Sequence, residues 1–322
     1  MPRRARRLLA IISLAVLASC GGTPGAGPAS AGAGGSAAGS APAFSVTEVV
    51  WQPAGQDTVE TTAYSPDGTH LAVGMADGTI AVFNVTGVDE DPVALRLHAG
   101  FNSSLAWSPD GTRLLSAATD GTVRLSDAKT LQVRQSFSAY PFSYPSAAWS
   151  FDGSRFALAQ GRDAVQVFDA QSAALIETFD MSGTTTRALL WLDNGDIVVS
   201  DDGGTIAFLK LGQPKAQRSY RPNPTHKAVN SLSLSPDGAV LAAAYDDGAL
   251  VLLDAATAKL VKELPKGRET GTISWSPNGR LLAVTSVAFD IRILDRDGKQ
   301  LAMLDLGYDT NGTAWTPDGR FL

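Results

Sequence analysis

This sequence predicts an all-β chain built from small sheets repeated in series. Three observations carry that reading: a turn of the form Ser-Pro-Asp-Gly that returns at a near-constant interval, short apolar segments between the turns, and no stretch of sustained helical periodicity. Composition agrees, since 44% of the 322 residues are hydrophobic and a sizeable core is available.

The N-terminal elements come first. MPRRARRLLAIISLAVLASC opens with an arginine-rich head and continues with an apolar run from Leu8 to Ala18. Such a run is short for a bilayer span, which needs about 20 residues, and it reads as a secretory signal over residues 1–19. The four residues Leu17 to Cys20, LASC, resemble the bacterial lipobox. That resemblance implies lipidation (diacylglycerol, palmitate) at Cys20 and cleavage just before it, leaving the protein lipid-anchored at the cell envelope, on the extracytoplasmic side of a bacterial membrane. Cys20 is the sole cysteine, so no intramolecular disulfide forms. Residues 20–43 then make a lipidated tether, because Gly21 to Pro42 is almost wholly Gly, Ala, Ser and Pro. A chain of that composition cannot offset its ordering entropy and reaches roughly 25 Å as a coil.

The folded domain is assigned to residues 44–322. Seven turn glycines, Gly68, Gly111, Gly153, Gly195, Gly238, Gly279 and Gly319, are spaced by 43, 42, 42, 43, 41 and 40 residues. Within the repeat that starts at Ser103, the first strand is Ser103 to Trp107 and the turn Ser108-Pro109-Asp110-Gly111 follows. Proline presets φ, aspartate bonds to nearby backbone, and glycine tolerates the left-handed exit. Arg113 to Ala118 is the second strand, Asp120-Gly121 a tight hairpin, Thr122 to Ser126 the third strand and Leu131 to Phe137 the fourth. A four-stranded sheet cannot bury two faces alone, so the sheets are expected to stack in a ring, as a seven-bladed β-propeller. The last blade is expected to be incomplete, because Leu322 stands three residues after Gly319, and a six-bladed ring is the alternative. Ser45 to Trp51 has the alternation expected of that last blade's outer strand.

The pattern WSPDGTRLLSAATDGTVRLSD resembles the WD-repeat propeller family. In that family the third strand ends in Trp-Asp, whereas here the pairs are Phe83-Asn84, Ser126-Asp127, Phe168-Asp169, Leu253-Asp254 and Leu294-Asp295. His98 and His226 stand where the family's histidine does, yet without the Trp neither is expected to be a full member of the buried polar network that the family shares.

Function is read from what is present and what is missing. Three histidines, His70, His98 and His226, fall in different repeats, and no HExxH, GxSxG or phosphate-binding loop occurs, so no catalytic residue, cofactor or metal ligand is assigned. Removing the arginines at 3, 4, 6 and 7 leaves 22 basic against 32 acidic residues, which weighs against nucleic acid as a partner. Trp107, Trp149, Trp191, Trp275 and Trp315 end first strands and are expected to pack between blades. Asp77, Asp120, Asp201, Asp202, Asp246 and Asp247 belong to hairpins, where Asp-Gly is ordinary turn chemistry. Tyr140, Phe142 and Tyr144, separated by prolines in a linker between blades, are the candidate anchors for a protein partner. The expected function is a non-catalytic protein-binding scaffold held to the membrane through its lipid anchor alone. The competing reading is a propeller enzyme or small-ligand sensor, of lactonase or hydrolase type, with its site in the central channel.

Overall fold

A computed structural model describes residues 11–17, 43–49, 58–86, 91–139, 145–159, 162–222, 228–287, 290–305, 313–319 and 322. Its domain is a ring of six blades, each a four-stranded antiparallel meander in chain order. Blade one is Val59–Tyr64, His70–Met75, Thr79–Asn84 and Val93–Arg96; blade two is Asn102–Trp107, Arg113–Ala118, Thr122–Asp127 and Val133–Ser138. Blade three begins at Ser146–Trp149, blade four at Thr186–Trp191, blade five at Val229–Leu234 and blade six at Thr270–Trp275. These first strands are innermost, and from blade one to blade six each adjoins the first strand of the next blade.

Period-two alternation decides which neighbour each strand serves. In the second strand of blade two, Leu114 packs with Ala72 and Ile80 of blade one, while Leu115 packs with Phe156 and Leu158 of blade three. Blade five repeats this, with Leu241 and Ala243 turned to Val198 and Phe208 of blade four, and Ala242 and Ala244 turned to Ile273 and Leu282 of blade six. Both faces of every such sheet are therefore core. Hydroxyls stitch the inner strands as well: Ser103 Oγ donates to the Pro145 carbonyl at 2.7 Å, and Ser233 Oγ accepts the Trp275 N–H at 3.0 Å. The fourth strand of blade two starts at Val133, later than expected, because Leu131 takes φ 56° in a turn closed by its N–H to the Asp127 carbonyl.

The tryptophans do pack between blades. Trp107 Nε1 donates to the Ala63 carbonyl at 2.9 Å and Trp149 Nε1 to the Ala106 carbonyl at 3.0 Å, each reaching the inner strand of the preceding blade.

The expected seventh blade is corrected to six. Beyond blade six the described residues contain a turn and an aromatic side chain but no further sheet strand. That turn still behaves as a repeat. Trp315 Nε1 donates to the Ser274 carbonyl at 3.3 Å, as Trp107 and Trp149 do to their preceding inner strands. A Cβ added at Gly319 would lie 3.4 Å from Pro277, and one added at Gly68 would lie 3.0 Å from Pro317. The same glycine-on-proline contact links Gly153 to Pro109 and Gly279 to Pro236. Turn contacts thus link most neighbouring repeats around a ring that holds six sheets, with the turn of the seventh repeat wedged between blades six and one. The strand expected at Ser45 to Trp51 is present as Ala43–Val49, but it pairs antiparallel with Ile11–Leu17 in a separate two-stranded sheet.

Candidate interaction surfaces

The meander sends its loops to two faces. One carries the turns from first to second strands together with those from third to fourth; the other carries the hairpins from second to third strands and the linkers between blades. Tyr140, Phe142 and Tyr144 lie outside the described residues, as do Cys20 and His226. The described ends of the Tyr140 linker sit at the hairpin face, where the Ala139 N–H bonds the Gly121 carbonyl at 2.8 Å and Ser103 holds Pro145.

The hairpin carboxylates are engaged in holding loops. Asp77 accepts the Thr79 N–H and hydroxyl at 2.8 and 2.9 Å. Asp202 accepts the Thr185 N–H at 3.2 Å, and Asp247 accepts from Ala249 and from Lys266 Nζ. Asp201 accepts the Thr205 N–H at 2.7 Å, and burial raises its pKa. Asp246 belongs to the same hairpin as Asp247 and has a buried Oδ1 without a hydrogen-bond partner. Among the described residues no group of three His, Cys, Asp or Glu is placed to hold a metal ion.

Asp120 does more. Blade two assembles a buried network that the missing Trp had argued against. The His98 ring is 3% exposed, with Nδ1 2.8 Å from Thr122 Oγ1 and Nε2 2.8 Å from Ser116 Oγ. Thr122 spends its own proton on Asp120 Oδ1 at 2.8 Å, so it must accept from Nδ1–H, which leaves Nε2 to accept from Ser116. Asp120 also takes the Ala99 N–H at 2.8 Å and stands 3.6 Å from Nδ1. Burial pushes the imidazole down to about 4, against the opposing pull of Asp120, and the ring is neutral. Two hydroxyls satisfy both ring nitrogens, so the network closes without an indole; Ser126, in the Trp position, is left with a buried hydroxyl that has no partner.

Blade six fills the same place differently. Gly267 N–H bonds the Gly248 carbonyl at 3.0 Å, as His98 N–H bonds the Gly78 carbonyl at 3.1 Å, so glycine stands in the histidine position. The Arg292 guanidinium enters from the third strand instead, and a Cβ at residue 267 would lie 2.1 Å from its Nη2. Arg292 is 9% exposed, and its Nε and Nη2 have no hydrogen-bond partner. Burial lowers its pKa, opposed by Asp290, whose carboxylate lies 3.6 Å from Arg268. The sequence signal for this arrangement was a glycine where a histidine was expected and an arginine in a strand of apolar residues.

The opposite face is a ring of turn carboxylates. Ser65 and then Thr69 hold Asp67 down to about 2, and Ser150 and then Ser154 do the same for Asp152. A cleft between blades two and three is lined in part by Asp110, Arg113, Arg134 and Gln135; Arg113 lies 4.6 Å over the Trp149 ring and bonds the Ala170 carbonyl, and Arg134 pairs with Asp127 at 2.6 Å.

Residues 45–84 and 97–127 match the family model described as WD domain, G-beta repeat, and residues 198–272 match that of the anaphase-promoting complex subunit 4 WD40 domain. The matched segments cover the first three strands of blades one and two, and run from the second strand of blade four into the inner strand of blade six; they include His98, Ser116 and Asp120. The human ribosome biogenesis protein BOP1 is 33% identical over 94 residues, which is 26% of this chain and 12% of that protein. The chain therefore spans about an eighth of that relative's length.

Proposed function

We propose that this chain is a WD-repeat propeller acting as a non-catalytic protein-binding scaffold, tethered by lipid at Cys20 to the extracytoplasmic side of a bacterial membrane. The observation that carries the scaffold reading is how polar chemistry is spent on the ring. Asp67, Asp77, Asp120 and Asp152 all bond the backbone or hydroxyls of their own loops, which makes stiff loops on two broad faces. Stiff loops lose little entropy when a partner docks, so exposed aromatic residues on them bind efficiently. The WD-repeat matches support the same reading, while LASC and the tether-like composition of 20–43 support the anchor.

Partner capture by the full chain, cross-linked in the membrane and compared with a variant carrying alanine at Tyr140, Phe142 and Tyr144, tests the proposal. The best single anchor is expected to contribute about 2 kcal/mol or more, with little change in melting temperature. Undiminished capture by the triple variant would remove this linker from the binding surface.

A further inference from the structure

The turn ring has two exceptions, Phe151 and Asp193. Five of the seven turns place proline at their second position, Pro66, Pro109, Pro236, Pro277 and Pro317, and each is covered by the turn glycine of the next repeat. Blade three has Phe151 there instead. The next turn glycine, Gly195, has nothing within 4 Å of where a Cβ would stand, so the packing ladder is interrupted at that seam. Phe151 does not tuck into the opening. It is 78% exposed, the most exposed large apolar side chain among the described residues.

Its turn is nonetheless rigid. Ser150 Oγ donates to Asp152 at 2.7 Å, the Ser154 N–H bonds Asp152 at 3.0 Å, the Gly153 N–H bonds the Ser150 carbonyl at 2.9 Å, and Gly153 packs on Pro109. A phenyl ring held in water by a stiff turn gives up the contact with the next turn glycine that proline makes in the other repeats. It also presents a large contact area that loses little entropy on binding. The surroundings set the sign of what binds. Asp152 is exposed and ionised, with its pKa at about 2, and Asp193, exposed in the neighbouring turn, occupies the proline position of the fourth repeat. The field of Arg155 reaches Asp152, but the whole chain carries a net charge of −6.

We propose that Phe151, flanked by Asp152 and Asp193, anchors a docking surface for a cationic segment of a protein partner, one that sets an apolar side chain beside Lys or Arg. This surface lies on the face opposite the ends of the Tyr140 linker. It extends the scaffold reading without depending on that linker.

The test is to pan a phage-displayed random-peptide library against the full chain. Enriched peptides are expected to combine aromatic or aliphatic residues with Lys or Arg and to weaken as salt rises. They are expected to bind Phe151→Ser at least roughly tenfold more weakly at an unchanged melting temperature. Phe151→Pro, which restores the residue of the other turns, should fold at least as well and lose the same binding. Asp152→Asn with Asp193→Asn should flatten the salt dependence. No enrichment, enrichment of acidic sequences, or binding that survives both Phe151 substitutions overturns the proposal. Peptides lost only through alanine at Tyr140, Phe142 and Tyr144 would report on the other face, so the two readings fail separately.

Discussion

Blades two and six hold the same backbone slot and fill it in opposite ways. In blade two a neutral imidazole enters from the linker and finds a partner for each nitrogen. In blade six a glycine leaves the slot open, and a guanidinium enters from the third strand with two donors unpaired. Desolvating a cation without full compensation costs more than burying a satisfied neutral ring. The slot is thus a packing requirement of the repeat, and the polar network is one solution to it.

The largest effect should strike the feature both blades share. Gly78 and Gly248 have φ +88° and +90°, and a Cβ at either would fall 2.0 Å from the His98 carbonyl oxygen or 2.4 Å from the Gly267 one. Alanine at either position is expected to cost on the order of 3 kcal/mol or more, read by denaturant unfolding, because backbone must move as well as strain. Tolerance of one substitution but not the other would mean that the slot geometry is not shared.

The next experiment separates the blades by sign. His98→Ala leaves a cavity and orphans the Ser116 hydroxyl, and should destabilise by about 2–3 kcal/mol. Arg292→Met removes a desolvated charge while Asp290 keeps Arg268, and should be neutral or stabilising by about 1 kcal/mol. Losses of similar size from both would erase the distinction between the two solutions.

Acid titration sharpens the same contrast. The unfolded chain protonates His98 near its ordinary 6.5, whereas the folded ring resists until about 4. As pH falls through that window the unfolded state binds the proton first, and stability drops by at most roughly 3 kcal/mol from this group. His98→Asn should flatten the pH dependence of the melting temperature between 6.5 and 4, whereas Arg292→Met should leave it in place.

Much of this molecule was legible before its structure. The turn glycines located the sheets, and the repeated tryptophans announced the seams, because one large residue per repeat is what stacked blades require. The count went astray at the seventh repeat for a physical reason: a turn and its Trp can wedge onto neighbouring blades without a sheet behind them, as Trp315 and Pro317 do. His98 was underrated because the motif was judged by its missing Trp, while Ser116 and Thr122 suffice to pair the ring. Arg292 carried only a faint signal, an arginine in an apolar strand with glycine at the histidine position, because its long side chain fills a place that the repeat pattern gives to a residue in another segment. Phe151 was visible as a departure from proline, but only the packing of Gly195 reveals that the ring points away from the seam.

The central claim is a propeller that works from a lipid tether, and labelling with palmitate analogue followed by mass spectrometry of the mature N-terminus tests it most directly. The account predicts a chain that begins at an acylated Cys20, and a Cys20→Ala variant that is neither labelled nor cut before residue 20. A mature wild-type protein that carries no lipid, or a Cys20→Ala variant that is still labelled and processed there, would contradict it.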